Sequence, residues 1–469
     1  MSTRDTLTSA LGRLIGWLDT WRTGAGAYHG YVIHRVETKR MSAIHDTAWT
    51  QAAIIRGYAN LARASGEARW LEAMRQAADV QASRFEPASG QFRFAGHEDD
   101  RFCSLVHCAL ANCALLAASD LVDAARQRHY RQVAQENVER YWLPRLWVED
   151  EGAFRFSETD FISPHEHRFV LNFNTMALEC LLALADRTGT AAYRARARRI
   201  GDWLLAKCRH TRDVFARLPA PAGGQPMPPG GLPYQFTPTQ QQPENCVTLY
   251  AGLALRGLVA LYRDTGDPEA ATVIRDTAAF LLRMRDPETR LFYHTTRGGA
   301  IQPYPQFVAG AGMTLLGLLE AAELAGPDAL ADDTLTALLA QQYANGAFPS
   351  FIGKNRTGGR GGQGVVWEDV VAGVNWNAQL FEYLTRRVPE PRAVASVPSV
   401  QPVRVATSRF LYVETPASVL IASWAPFPSA GCYWMRKRAR RAALACYPRY
   451  ALSQVARRVL RRGRGGTQA

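Results

Sequence analysis

Carboxylates, amides and imidazoles recur in short clusters along this chain, each just ahead of an apolar run. The clusters are His45-Asp46, Glu98-Asp99-Asp100, His165-Glu166-His167 with Asn172 and Asn174, Glu244-Asn245, and Glu368-Asp369 with Asn375. Acids and asparagines in such places read first as helix N-caps, because a short polar side chain satisfies free N–H groups and a carboxylate suits the dipole. Capping needs one side chain, whereas these clusters supply two or three polar groups each. Aromatic residues accompany them: Trp49, Phe102, Phe169, Tyr304, Trp367 and Trp376. Flat rings stack on sugar faces, amides bind hydroxyls, and paired carboxyls serve as acid and base or nucleophile.

Other residues carry narrower chemistry. His165 and His167 suggest a metal only if a third ligand exists, and none is evident, so no metal and no cofactor are expected. Tyr293-His294 follows an apolar closure and offers a proton donor in either side chain. His107, inside an apolar run, reads as a packed or hydrogen-bonded core residue. The loop from Lys354 through Arg360 is rich in glycine and can grip an anion through Arg360 and backbone amides, but it lacks the strand and the Lys-Ser/Thr ending of a P-loop.

The segment from Glu244 to Phe292 shows what must position these groups. Val247 to Leu261 is apolar on nearly every side, as in a buried helix. Thr265-Gly266-Asp267-Pro268 then supplies a left-handed C-cap, an N-cap and a first-turn proline. The return helix is amphipathic, with Ile274, Ala278, Leu281 and Leu282 on one stripe. The same turn recurs at Gly66 and Gly189, and closing phenylalanines recur in Gly90-Gln-Phe92, Gly152-Ala-Phe154, Tyr234-Gln-Phe236, Arg290-Leu-Phe292 and Gly346-Ala-Phe348. Six buried helices start near Asp46, Arg101, Asn172, Asn245, Phe307 and Val370. Hairpins that cannot bury their apolar faces alone must stack or close on one another. Six predict an all-α, closed (α/α)6 toroid over residues 41–390. An N-terminal helix and loop (1–40), a linker with short strands (391–430) and a basic, helix-forming tail (431–469) are expected around it. Inner-to-outer turns are short and return connections long, so the polar loops gather at the N-terminal end of the inner helices, where sites lie.

Composition narrows the partners. No apolar run is long enough to span a membrane, and the opening segment holds Asp5 and Asp19 rather than a secretory core. The eight cysteines form no CxxC pair, and most sit in buried-helix patterns, which predicts reduced thiols and a cytoplasmic protein. Eleven of the 55 Lys and Arg lie in residues 431–469 with no Asp or Glu; the rest nearly balance the 42 acids. Leu452, Val455, Val459 and Leu460 against Arg457, Arg458, Arg461 and Arg462 form an amphipathic pattern suited to an anionic membrane surface, which predicts peripheral contact with the inner membrane. Nucleic acid is the weaker partner, since no recognition fold accompanies the charge. A solubilising tail is the plain alternative.

Six hairpins with turns of the Thr-Gly-Asp type and Gly-x-Phe closures resemble the six-hairpin glycosidase-like (α/α)6-toroid superfamily. That resemblance implies a site at the inner-helix N-termini and, by position, makes Asp46, Asp99, Asp100, Glu166, Glu244 and Asp369 the acid–base candidates. His45, Trp49, His165, His167, Asn172, Asn174, Asn245, Tyr293, His294, Tyr304, Arg360, Trp367, Asn375 and Trp376 are the substrate-binding candidates. Terpene-cyclase toroids share the architecture, but their Asp-x-Asp-Asp motif is missing here. The expected function is a carbohydrate-active enzyme, with glycoside hydrolysis first, on saccharides that include uronates. Lyase or epimerase chemistry and a non-catalytic saccharide-binding or scaffold role stay open.

Overall fold

Alternating buried and half-exposed helices build a ring within a ring. The structure, a computed structural model, describes residues 3–28, 48–93, 103–158, 168–217, 230–236, 245–297, 300–353, 367–407, 410–423 and 431–436. The inner helices are α2 (Ala48–Ser65), α4 (Leu105–Ser119), α6 (Leu171–Thr188), α8 (Thr248–Thr265), α10 (Ala311–Ala325) and α13 (Val374–Arg387). The outer helices are α1 (Thr3–Trp21), α3 (Ala68–Ser83), α5 (Ala124–Asn137), α7 (Ala191–Arg217), α9 (Pro268–Arg283) and α11 (Asp332–Leu339), and a short α12 (Trp367–Val370) precedes α13. Each inner helix packs on the next, and α13 packs on α2, so the ring closes.

The turns form as their residues dictate. Gly189 and Gly266 cap α6 and α8 in the left-handed conformation, at φ 71° and 67°, and the Asp267 carboxylate accepts from the Glu269 amide at 2.7 Å. Closures are short antiparallel pairs: β1 (Phe85–Glu86) with β2 (Gln91–Phe92), β3 (Trp147–Val148) with β4 (Ala153–Phe154), and β5 (Phe169–Val170) with β6 (Gln235–Phe236). A longer hairpin, β7 (Phe292–Arg297) and β8 (Ala300–Phe307), is joined by β9 (Phe351–Ile352).

Two closures are locked to the following inner helix by the same device. Asn174 accepts from the Phe154 amide at 2.8 Å and donates to the Phe154 and Val170 carbonyls at 2.9 and 3.2 Å. Asn377 accepts from the Phe348 amide at 2.9 Å and donates to the Phe348 and Gly373 carbonyls at 2.9 and 3.0 Å. Each is the fourth residue of its helix and fully buried.

The seam between α2 and α13 is closed by packing and by charge. A methyl group at Gly57 would sit 2.2 Å from the Phe381 ring, so only glycine admits that contact. Arg56 Nη2 donates to Glu382 Oε2 at 2.8 Å, and its Nε stands 2.8 Å from Oε1, off the line of a hydrogen bond. Across the barrel, Arg256 of α8 lies 3.7 Å from Glu382 and donates to Glu179 of α6 at 2.9 Å. Burial alone would lower the Arg256 guanidinium, but Glu179, Glu382 and Glu320 hold it above its ordinary value.

Three sequence expectations change. The opening helix is no separate N-terminal element: α1 packs against α13 and α11 as the sixth outer helix. The stretch after Pro389 is no free linker, because it runs along α1. The Val397 amide donates to the Gly12 carbonyl at 3.0 Å, and a methyl at Gly16 would meet the Val397 oxygen at 1.7 Å. The short strands form a four-stranded antiparallel meander of β10 (Val403–Ala406), β11 (Phe410–Glu414), β12 (Ser418–Ser423) and β13 (Gly431–Arg436). Thus the first residues assigned to the helical tail pair with β12 instead, as the alternation in Cys432-Tyr433-Trp434 permits. The rest of the tail lies outside the described residues. Trp17 Nε1 and the Tyr412 hydroxyl both donate to the buried Glu414 carboxylate, at 2.7 and 2.5 Å, joining the sheet to α1.

Replacing Glu382 with Gln leaves Arg56 buried without its counter-charge, and the expected cost is about 3–5 kcal/mol. Urea unfolding measures it. A loss below about 1 kcal/mol would show that the seam does not depend on this pair.

Candidate active site

The N-terminal turns of five inner helices converge on one cavity of about 70 Å³. Trp49 of α2, Ser104, Val106 and His107 at the start of α4, Asn172 and Phe173 of α6, Tyr250 and Leu253 of α8 and Met313 of α10 line it, with Leu110, Phe156 and Tyr234. The end of the ring that the loop asymmetry selects therefore carries a cavity.

Its walls are stacked rings. Trp49 lies over the His107 imidazole with centroids 5.8 Å apart and planes 25° off parallel. Phe156 and Phe173 stack at 5.1 Å, and Tyr234 and Tyr250 at 4.8 Å. Arg168, itself buried, covers the Phe156 ring at 4.0 Å and donates to Gln235 at 2.9 Å. An aromatic belt continues around the mouth from Trp49 to Trp376 at 5.2 Å, to Phe307 at 5.7 Å and to His294 at 5.0 Å.

Among the described residues, the Asn172 amide lines this cavity without a protein partner. The Asn172 side chain is 1% exposed, and neither its oxygen nor its nitrogen is hydrogen-bonded. A buried amide left so costs stability unless something else binds it. Asn174, two residues on, points to the other side of the helix and is consumed by the Phe154 main chain. The two asparagines that sequence reasoning grouped as substrate-binding thus divide: Asn172 lines the cavity and Asn174 is structural.

The remaining candidates are distributed. His45, Asp46, Asp99, Asp100, His165, Glu166, His167, Glu244 and Arg360 lie outside the described residues, and Trp367 opens α12. Asp369 is buried away from the cavity, near enough to Tyr343 to help raise that hydroxyl, after burial and Glu414. Asn245 is exposed and Asn375 half-buried, and neither lines the cavity. The Tyr293 hydroxyl donates to Asp286 at 3.1 Å; burial first, then that carboxylate, pushes it up to about 12, so it stays protonated at neutral pH. Tyr304 packs its ring on Gly353. Trp49 lines the cavity, and Trp376 and His294 stand on the belt. Sequence reasoning placed His107 in the core and passed over Phe156, Phe173, Tyr234 and Tyr250. The usable signal was position, since Trp49, His107, Asn172, Tyr250 and Met313 all fall at the second or third residue of an inner helix.

Residues 30–216 match the family model of N-acylglucosamine 2-epimerase (GlcNAc 2-epimerase). No curated protein sequence matches the chain. Among solved structures, a D-mannose isomerase superposes with a TM-score of 0.58 at 10% identity, covering 82% of this chain and 98% of that one. The cellobiose 2-epimerase of Bacillus thermoamylovorans also gives 0.58 at 10%, over 82% and 100%. An unsaturated glucuronyl hydrolase specific for heparin gives 0.57 at 14%, over 84% and 99%. The fold is the (α/α)6 toroid of six helical hairpins. In this toroid the epimerase match spans α2 to α7, and with them the cavity wall from Trp49 to Phe173.

The two asparagines give a paired test. Asn174→Ala is expected to lower unfolding free energy by about 2 kcal/mol or more, because it orphans buried main-chain groups. Asn172→Leu is expected to leave thermal stability unchanged or higher while abolishing sugar binding. Denaturation and calorimetric titration check both. Equal losses of stability would place Asn172 in the scaffold too.

Proposed function

We propose that this protein is a carbohydrate-active enzyme that moves a proton at the carbon beside the carbonyl of a reducing sugar, as an epimerase or isomerase. The observation that carries the reading is His107, an imidazole set in the wall of a largely apolar and aromatic cavity that also holds the unpartnered Asn172 amide. The N-acylglucosamine 2-epimerase match over the segment holding these residues supports it.

The chemistry follows from the residue types. The carbonyl of an open-chain sugar acidifies the neighbouring C–H, and a neutral imidazole can take that proton as general base. The electron pair moves onto the carbonyl oxygen, giving an enediolate. The Asn172 N–H donates to that developing oxyanion, as amide donors do at such sites. Proton return to the opposite face gives the epimer; return to the neighbouring carbon, with the hydroxyl proton transferred, gives the ketose. His294, on the same aromatic belt, is the described candidate for the second acid. Trp49 and the Tyr234–Tyr250 pair hold the pyranose before its ring opens.

Glycoside hydrolysis is the second reading, favoured by the acids at Asp46, Asp99, Asp100, Glu166 and Glu244 just before inner helices whose first turns line the cavity. The two part cleanly in deuterium oxide. Incubation with mannose, glucose, N-acetylglucosamine and cellobiose is expected to place deuterium at C2 of at least one sugar. His107→Ala is expected to slow that exchange by about 100-fold or more. Product gaining one water from a glycoside, with no deuterium at carbon, would overturn the proposal in favour of hydrolysis.

A further inference from the structure

Two thiols meet at the edge of the cavity and take no part in the chemistry above. Cys103 Sγ and Cys108 Sγ are 3.0 Å apart, both buried and both reduced. Cys103 stands in extended chain just before α4, and Cys108 lies in its first turns. Between them in sequence are Ser104 and His107, which line the cavity. The Tyr141 hydroxyl donates to the Cys103 carbonyl at 2.7 Å, so the backbone there is tethered while the sulfur meets Cys108.

We propose that Cys103 and Cys108 form a reversible disulfide under peroxide, and that this bond alters the cavity. Covalent sulfurs stand about 2 Å apart, so closure draws the two sulfurs together by roughly 1 Å and pulls on the turn that carries His107. The step balances with hydrogen peroxide as oxidant. The Cys103 thiol attacks one peroxide oxygen, the O–O bond breaks, and water leaves with a sulfenic acid in place. The Cys108 sulfur then attacks Cys103 Sγ, the S–O bond breaks, and a second water leaves. Isolated buried thiols are inert; this pair has its sulfurs in contact and one member, Cys103, outside the helix beside residues that line the cavity. Burial, then the Cys103 contact, pushes the Cys108 thiol well above its ordinary value.

The test is mass spectrometry of the full-length protein after peroxide, with free thiols alkylated on unfolding and the 102–126 tryptic peptide fragmented. Expected is a peptide lighter by two hydrogens, with the bond mapped between Cys103 and Cys108 and Cys113 alkylated. Dithiothreitol should reverse the change. Cys113→Ala should keep it, and both Cys108→Ala and Cys103→Ser should lose it; mapping in the wild type stands even if a variant fails to fold. Full alkylation of all three cysteines, sulfinic acid at Cys103, or a Cys113–Cys180 bond would each overturn the site. Formation of the bond with sugar affinity unchanged, by calorimetry, would overturn its effect on the cavity. The mass readout stands apart from catalysis, so failure here and failure of the epimerase reading are distinguishable.

Discussion

Glu382 is the point on which the ring depends. It lies on the last inner helix, takes the Arg56 guanidinium of the first, and faces Arg256 from across the barrel. Four of the six inner helices are thereby tied through one buried set of charges, since Arg256 also holds Glu179. Such a network is a poor source of net stability, because desolvation offsets much of the attraction. Its orphaned atoms on Arg256 and Glu179 fit that view. What it supplies is a constraint on which helices are neighbours: an unpaired arginine in this interior is far costlier than a lost apolar contact, so arrangements that part α2 from α13 are penalised.

The site inherits its geometry from that closure. With the ring closed, the first turns of the inner helices point to a common axis, and residues at equivalent positions meet there although they are scattered through the sequence. The Asn174 and Asn377 brackets fix how each return strand enters its helix, and hence where Phe156 and Phe173 stand on one side and Phe351 and Trp376 on the other. Scaffold and site alternate along α6: Asn172 turns to the cavity and Asn174 to the main chain. About 200° of helical rotation separates them.

Much of this was legible in the residues. The Thr-Gly-Asp turns and the closing phenylalanines gave the hairpin count, because left-handed glycine and the period of an amphipathic helix are local properties. Arg290 shows how strongly that geometry is imposed: it adopts φ 62° where Gly90, Gly152 and Gly346 stand in three of the other closures. The partnership of α1 with α13 was not legible, since nothing local tells a helix that its neighbour lies at the far end of the chain. Nor was the division of labour between Asn172 and Asn174, which depends on which face of α6 the ring turns inward. Tyr293 read as a free donor because its partner, Asp286, meets it only once the turn after α9 folds back on β7. The acidic clusters, the most visible chemistry in the sequence, lie mostly outside the described residues, while the cavity wall is made of residues that a sequence reader assigns to the core.

The central claim is that the cavity between Trp49, His107, Asn172 and Tyr250 holds the sugar. A crystal structure of the protein soaked with mannose tests it most directly. The account predicts a sugar ring between the Trp49–His107 and Tyr234–Tyr250 stacks, with an oxygen within hydrogen-bonding distance of the Asn172 amide. A sugar bound elsewhere on the toroid, with Asn172 still unpartnered, would contradict it.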